Sequence, residues 1–193
     1  MILVIDFYDS FVHNLIDYVH QTGHRTTHIF YDKITFDTII QINPSAIILS
    51  PGPNHPADYP DICDIIKKIP KDIPILGVCL GHQIIGYIYG ADIIQTPPAH
   101  GIATKIIHHH TGIFENIPVP ILVGRYHSLS VSNISDDFMV TAHTSDETAI
   151  IMGIVHKKHP IYGVQFHPES LLTDYGHQMI ENFCHINPSQ GYI

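Results

Sequence analysis

The chain has 193 residues, with 9 Lys+Arg against 18 Asp+Glu and a formal net charge of −9 at pH 7. An apolar fraction of 45% with 14% charged residues excludes an intrinsically disordered chain. The acidic balance argues against a surface built to grip nucleic-acid phosphates or an anionic membrane, and the length suits one domain over residues 1–193.

In the first half, short Ile- and Val-rich runs at residues 1–5, 27–31, 46–49 and 73–78, bounded by Pro, Gly or Asp, read as buried strands. Between them, residues 11–21 place Phe11, Leu15, Ile16 and Val19 at helical spacing, and residues 58–69 do the same with Ile62, Ile65, Ile66 and Ile69. A third helix, 82–89, follows the fourth strand directly. This alternation predicts a parallel sheet with helices on both faces. The second half instead shows six strand-like runs, at 93–96, 103–108, 121–126, 138–143, 149–156 and 161–166, closed by a helix over 175–185. The expected architecture is an open α/β sandwich, mostly parallel with an antiparallel extension, and its sites are expected beyond the C-terminal ends of the strands.

The three cysteines, Cys63, Cys79 and Cys184, have no paired spacing, so neither a disulfide framework nor a C-x-x-C site is expected. The apolar start, Met1-Ile2-Leu3-Val4-Ile5, lacks a basic flank and is too short for a signal peptide, and no apolar run approaches the roughly 20 residues of a membrane span. A cytoplasmic protein with free thiols is therefore expected. His108-His109-His110 is read as solvent-exposed rather than metal-binding, since neighbours on a strand point to alternate faces. Gly81 and Gly86 are followed by Tyr87 rather than Lys-Ser/Thr, so there is no nucleotide loop. Neither metal nor cofactor is expected.

Chemistry concentrates in three segments. In Gly77-Val78-Cys79-Leu80-Gly81, a buried strand runs into a helix with a thiol at the junction, at the G-x-C-x-G spacing of a nucleophile elbow. The glycines permit a tight, strained turn, and the helix N-terminus favours thiolate over thiol. The Leu80 N–H is then placed to help form an oxyanion hole. Cys63 and Cys184, each on the apolar side of a predicted helix, read as structural cysteines. A nucleophilic thiol needs a base and the base an orienting group. In Gly163-Val164-Gln165-Phe166-His167-Pro168-Glu169-Ser170, His167 and Glu169 follow a strand, and Pro168 lets both side chains face one way. In Ser50-Pro51-Gly52-Pro53-Asn54, a glycine between two prolines presents a rigid loop whose Gly52 N–H suits a second oxyanion donor.

In this order, and over nearly the whole length, these segments resemble the class I (triad) glutamine amidotransferase family. Asp6-Phe7-Tyr8-Asp9-Ser10-Phe11 and Arg125-Tyr126-His127-Ser128-Leu129 further resemble segments of the small subunits of anthranilate synthase and aminodeoxychorismate synthase. The resemblance implies a flavodoxin-like domain that hydrolyses glutamine to glutamate and ammonia through Cys79, His167 and Glu169, with Gly52 and Leu80 as oxyanion donors. By position, Gly52, Pro53, Asn54, Gln83, Ser128 and Leu129 match the family's glutamine-binding residues. A chorismate-using synthase large subunit is the implied partner and consumer of the ammonia, on the tryptophan or the folate branch. The chain departs from the pattern at Phe7 (usually Asn), at Asn54 (usually Gly) and at Ile102, where relatives commonly read His-Gly-Lys. Loss of that lysine bears on the partner-facing or gating contact more than on the triad. The competing readings are a catalytically weak regulatory subunit and another cysteine hydrolase of the same fold, such as a γ-glutamyl peptidase.

Overall fold

The computed structural model describes residues 1–186. Strands β1 (Ile2–Asp6), β2 (Thr26–Phe30), β3 (Ala46–Leu49) and β4 (Ile75–Val78) alternate with helices α1 (Val12–Gln21), α2 (Phe36–Ile42), α3 (Pro60–Lys68) and α4 (Leu80–Ile88). There follow β5 (Asp92–Gln95), β6 (Ile102–His108), β7 (Ile121–Arg125), β8 (Leu129–Ser132), β9 (Phe138–Thr144), β10 (Ile151–His156), β11 (Ile161–Val164) and α5 (Gly176–Cys184).

Nine strands form one sheet in the order β2-β1-β3-β4-β11-β10-β9-β6-β7, and β5 pairs with β8 in a separate two-stranded ribbon. From β2 to β11 the neighbours are parallel, and from β11 onward they are antiparallel. This is the expected parallel core with an antiparallel extension.

Alternation within the central strands decides the layering. On β1, Ile2 and Val4 join one apolar cluster with Leu15 and Val19 of α1 and with Met179, Ile180 and Phe183 of α5. Leu3 and Ile5 join the opposite cluster with Ile39 of α2, Ile62 and Ile66 of α3, and Ile84 and Ile85 of α4. Successive side chains point to opposite faces, so a strand apolar at every position must be covered on both. Each such Ile or Leu removed from water is worth roughly 1.5–3 kcal/mol.

Two elements lie outside the sequence expectation. Helix α2 is only seven residues long and buries Ile39 alone, too little periodicity to register. Its signal is the cap: the Thr35 hydroxyl accepts the Thr38 N–H at 3.1 Å, and Asn43 ends the helix at φ 46°. Strand β8 is four residues long and pairs with β5 in register Gln95↔Leu129, which places Ser128 and Leu129 above the end of the parallel sheet. Several boundaries also move. The helix expected from residue 58 begins at Pro60, after a separate 3-10 turn over Pro56–Asp58. The strand expected from residue 149 begins at Ile151, because Ala149 takes φ 45°, outside the extended region. The histidine triplet needs a correction too. His109 and His110 are exposed, but His108 is buried, stacked on Phe114 at 4.7 Å with its ring hydrogen-bonded to the Pro118 carbonyl. Among the described residues no group of three or more His, Cys, Asp or Glu is placed to hold a metal, and no helix is long and apolar enough to cross a membrane.

Candidate active site

The C-terminal ends of four adjacent strands, β1, β3, β4 and β11, meet at one edge of the sheet, the place where open parallel sheets build sites. Cys79 follows β4 at φ 52°, ψ −100°, a conformation that costs a non-glycine residue on the order of 1–3 kcal/mol. It is held there from both sides: its N–H donates to the Val164 carbonyl at 2.8 Å, and its own carbonyl accepts the Gln83 N–H at 3.1 Å. The flanking glycines are required by close approach. A Cβ on Gly77 would overlap the Gly81 backbone, and one on Gly81 would overlap the Leu49 carbonyl of β3. The turn thus seats Cys79, 6% exposed, at the N-terminus of α4. Leu80 is the first residue of that helix, so its N–H has no acceptor within it.

His167 lies just past β11, where its N–H donates to the Gly124 carbonyl of β7 at 3.0 Å. Its Nδ1 and the Glu169 Oε1 are 2.6 Å apart, and both side chains are buried. A carboxylate only accepts, so Nδ1 carries the proton and Nε2 is left for the thiol side. Burial alone would push the imidazolium down, but the Cys79 sulfur and the Glu169 carboxylate together outweigh it and hold His167 well above its ordinary value. Aromatic rings wall the imidazole, with Phe11 at 5.7 Å and Tyr126 at 5.0 Å between centroids.

In front of Cys79 opens a cavity of about 420 Å³, counting space continuous with solvent. Gly52, Pro53, Asn54, Gln83, Ser128 and Leu129 line it together with Cys79, so every glutamine-site residue expected from the sequence borders one space. Gly52 is pressed against Phe7, and a Cβ there would stand 2.5 Å from the Phe7 Cβ. The Gly52 N–H makes no backbone hydrogen bond among the described residues. Tyr59 donates to the Pro53 carbonyl at 2.8 Å and pins the loop, while Asn54 adopts φ 65°, where asparagine is better tolerated than most residues. Phe7 itself is fully buried, stacked on Tyr31 at 5.4 Å and edge-on to Tyr59 at 5.3 Å, so it replaces a polar side chain with core.

Tyr126 and His127 complete the lining. The Arg125 Nε–H donates to His127 Nε2 at 3.0 Å, and the His127 Nδ1–H then donates to the Leu129 carbonyl at 2.8 Å. Only neutral histidine can make both contacts, and burial, with Arg125 beside it, lowers its pKa to about 4. Ile102 is exposed at the start of β6 and pairs in register with Arg125, so the departure from lysine sits at the outer edge of this segment.

Behind Gln83, His82 is wholly buried and stays neutral, its pKa lowered to about 3 mainly by desolvation. It has room because position 163 is glycine: a Cβ there would stand 2.5 Å from His82 Nδ1. As pH falls below about 6.5 the unfolded chain takes up a proton here that the folded chain refuses until pH about 3. Stability is therefore lost progressively across that window, by about 2–3 kcal/mol from this group at pH 4.5. Urea unfolding between pH 7 and 4.5 should show the decline, and His82→Gln, which cannot titrate, should lessen it, the part due to His127 and His156 remaining. An equal slope in both proteins would contradict the assignment.

Gln165 is the residue that sequence reasoning passed over. Counting back by two from His167 along the strand direction reaches it, the same alternation that sends Val164 and Phe166 into the apolar core. Its side chain is fully buried between Gln83 and Cys79.

A family model described as glutamine amidotransferase class-I matches residues 3–187. An anthranilate synthase component 2 of Methanocaldococcus jannaschii is 46% identical over 191 residues, covering 94% of this chain and 95% of that protein. One of Cyanophora paradoxa is 46% identical over 187 residues, covering 95% and 97%. A bifunctional protein TrpGD of Thermotoga maritima is 40% identical over 192 residues, but this chain spans only 33% of it. Among solved structures, a Thermoplasma acidophilum protein described as a GMP synthase subunit superimposes with a TM-score of 0.84 at 30% identity, covering 94% of this chain and 90% of that one. The elbow, the shared cavity and these matches lead to one conclusion: the chain belongs to the class-I glutamine amidotransferase family.

Proposed function

We propose that residues 1–193 form one cytoplasmic glutaminase domain, the ammonia-producing component of an anthranilate synthase. The observation that carries this reading is that the Cys79 elbow borders one cavity with Gly52, Pro53, Asn54, Gln83, Ser128 and Leu129, while the buried His167–Glu169 pair lies beside the Cys79 sulfur. The names of the relatives favour the tryptophan branch.

In this reading Cys79 attacks the side-chain amide carbon of glutamine. The N–H groups of Gly52 and Leu80 receive the developing oxyanion, a contribution worth roughly 3–4 kcal/mol per donor in comparable sites. His167 gives its proton to the departing ammonia, leaving a glutamyl thioester, then takes one from water as that water attacks. Glu169 holds the imidazole orientation through both steps. Gln83 donates its amide N–H groups to protein carbonyl oxygens, so its Oε1 is the group free to accept from the α-ammonium of the substrate. Ammonia released into water is lost as ammonium, so coupling to a docked synthase large subunit is the chemically sensible arrangement.

The test is glutamate release from glutamine by the chain alone, with an anthranilate synthase large subunit, and with an aminodeoxychorismate synthase large subunit. A several-fold rise with the first is expected. A rise only with the second would move the chain to the folate branch, and a rise with both would make it a shared subunit. No release despite complex formation would favour the regulatory reading.

A further inference from the structure

Three hydrogen bonds tie the nucleophile to the wall of the cavity. Gln83 Nε2 lies 2.9 Å from the Leu129 carbonyl and 3.1 Å from Gln165 Oε1, and Gln165 Nε2 lies 3.7 Å from the Cys79 sulfur. The amide orientations follow from chemistry. A backbone carbonyl can only accept, so Leu129 requires the NH₂ end of Gln83. That same NH₂ is in contact with Gln165, which must therefore present its oxygen, and the Gln165 NH₂ is left pointing at the sulfur. Reversing either amide would set two donors, or two acceptors, against each other in a buried space.

We infer that Gln165 is a positioning residue that serves both halves of the site at once. By accepting from Gln83 it locks that amide with Oε1 toward the cavity. By donating to Cys79 it supports negative charge on the sulfur. The inference rests on the glutaminase reading for its first half; the second half concerns the thiol alone. Leu129 is in turn held by the neutral His127 through the Nδ1–H contact, so the lock extends to Arg125. No side chain lacking both a donor and an acceptor can replace Gln165 in this chain of contacts.

The test uses the full chain in complex with the synthase large subunit and compares Gln165→Met, Gln83→Met and the double variant. Methionine keeps the length of glutamine and loses its hydrogen bonds. For Gln165→Met, KM for glutamine should rise roughly tenfold, and alkylation of Cys79 by iodoacetamide at neutral pH should slow roughly fivefold, each on the scale of one lost hydrogen bond. Cys79 is read by the mass of its own peptide, since Cys63 and Cys184 are also thiols. If Gln165 acts on substrate through Gln83, the double variant has the KM of Gln83→Met alone, while the slow alkylation follows Gln165 only. A purely structural role would make the KM effects additive, and unchanged KM and alkylation in Gln165→Met would likewise overturn the inference. Should Gln165→Met fail to fold, Gln165→Asn, one methylene too short to bridge both partners, is expected to move both readouts the same way. Absence of glutamine hydrolysis in the unsubstituted complex would instead overturn the glutaminase reading, and the alkylation rates would then decide the sulfur contact alone.

Discussion

Cys79→Ser should reduce glutamine-dependent product formation by about four orders of magnitude or more, the scale on which single nucleophile losses act. The reason is chemical rather than steric. Serine fits the φ 52° turn as well as cysteine does, and the Val164 and Gln83 backbone contacts remain. An alcohol, however, is far harder to deprotonate than a thiol at neutral pH, so the side chain is not available as a nucleophile. Product formed by the large subunit from supplied ammonia does not need the thiol and serves as the control for intact assembly. The decisive measurement is the ratio of glutamine-dependent to ammonia-dependent rates. Survival of the glutamine-dependent rate would remove Cys79 from the mechanism.

Gly81→Ala should be strongly destabilising. The new Cβ would meet the Leu49 carbonyl and Cβ, atoms of a central strand that cannot give way without shifting β3 against β4. A cost of about 3 kcal/mol or more is expected, read as a lowered urea midpoint or loss of soluble protein. Gly23→Ala supplies the contrast. Gly23 sits at φ +83° with open space around it, so only backbone strain of about 1–2 kcal/mol applies. Equal effects at the two positions would mean that close packing beneath the elbow is not the reason for Gly81.

Much of this was legible in the residues. Buried parallel strands declare themselves because both faces must be apolar, as Ile2 to Ile5 show, and G-x-C-x-G is readable because glycine answers a steric demand that no other residue meets. Spacing brings His167 and Glu169 to one side, and their side chains meet at 2.6 Å, but an isolated His-Pro-Glu reads as a surface turn. Its burial comes from β7 and from the rings of Phe11 and Tyr126, contacts made at distances of 40 residues and more along the chain. Helix α2 and strand β8 escaped because elements of seven and four residues carry too little periodicity. Gln165 escaped for another reason: its role exists only once Gln83 and Cys79, 82 and 86 residues away, are brought beside it.

The division between the nine-stranded sheet and the two-stranded ribbon makes the site modular. Cys79, His167, Gly52 and Leu80 all stand just beyond the parallel strands β3, β4 and β11, whereas Ser128 and Leu129 lie at the start of strand β8 of the separate two-stranded ribbon. Because the ribbon pairs with none of the strands of the large sheet, substitutions in it can reshape the cavity wall at Ser128 and Leu129 without altering the strand pairing that positions Cys79 and His167.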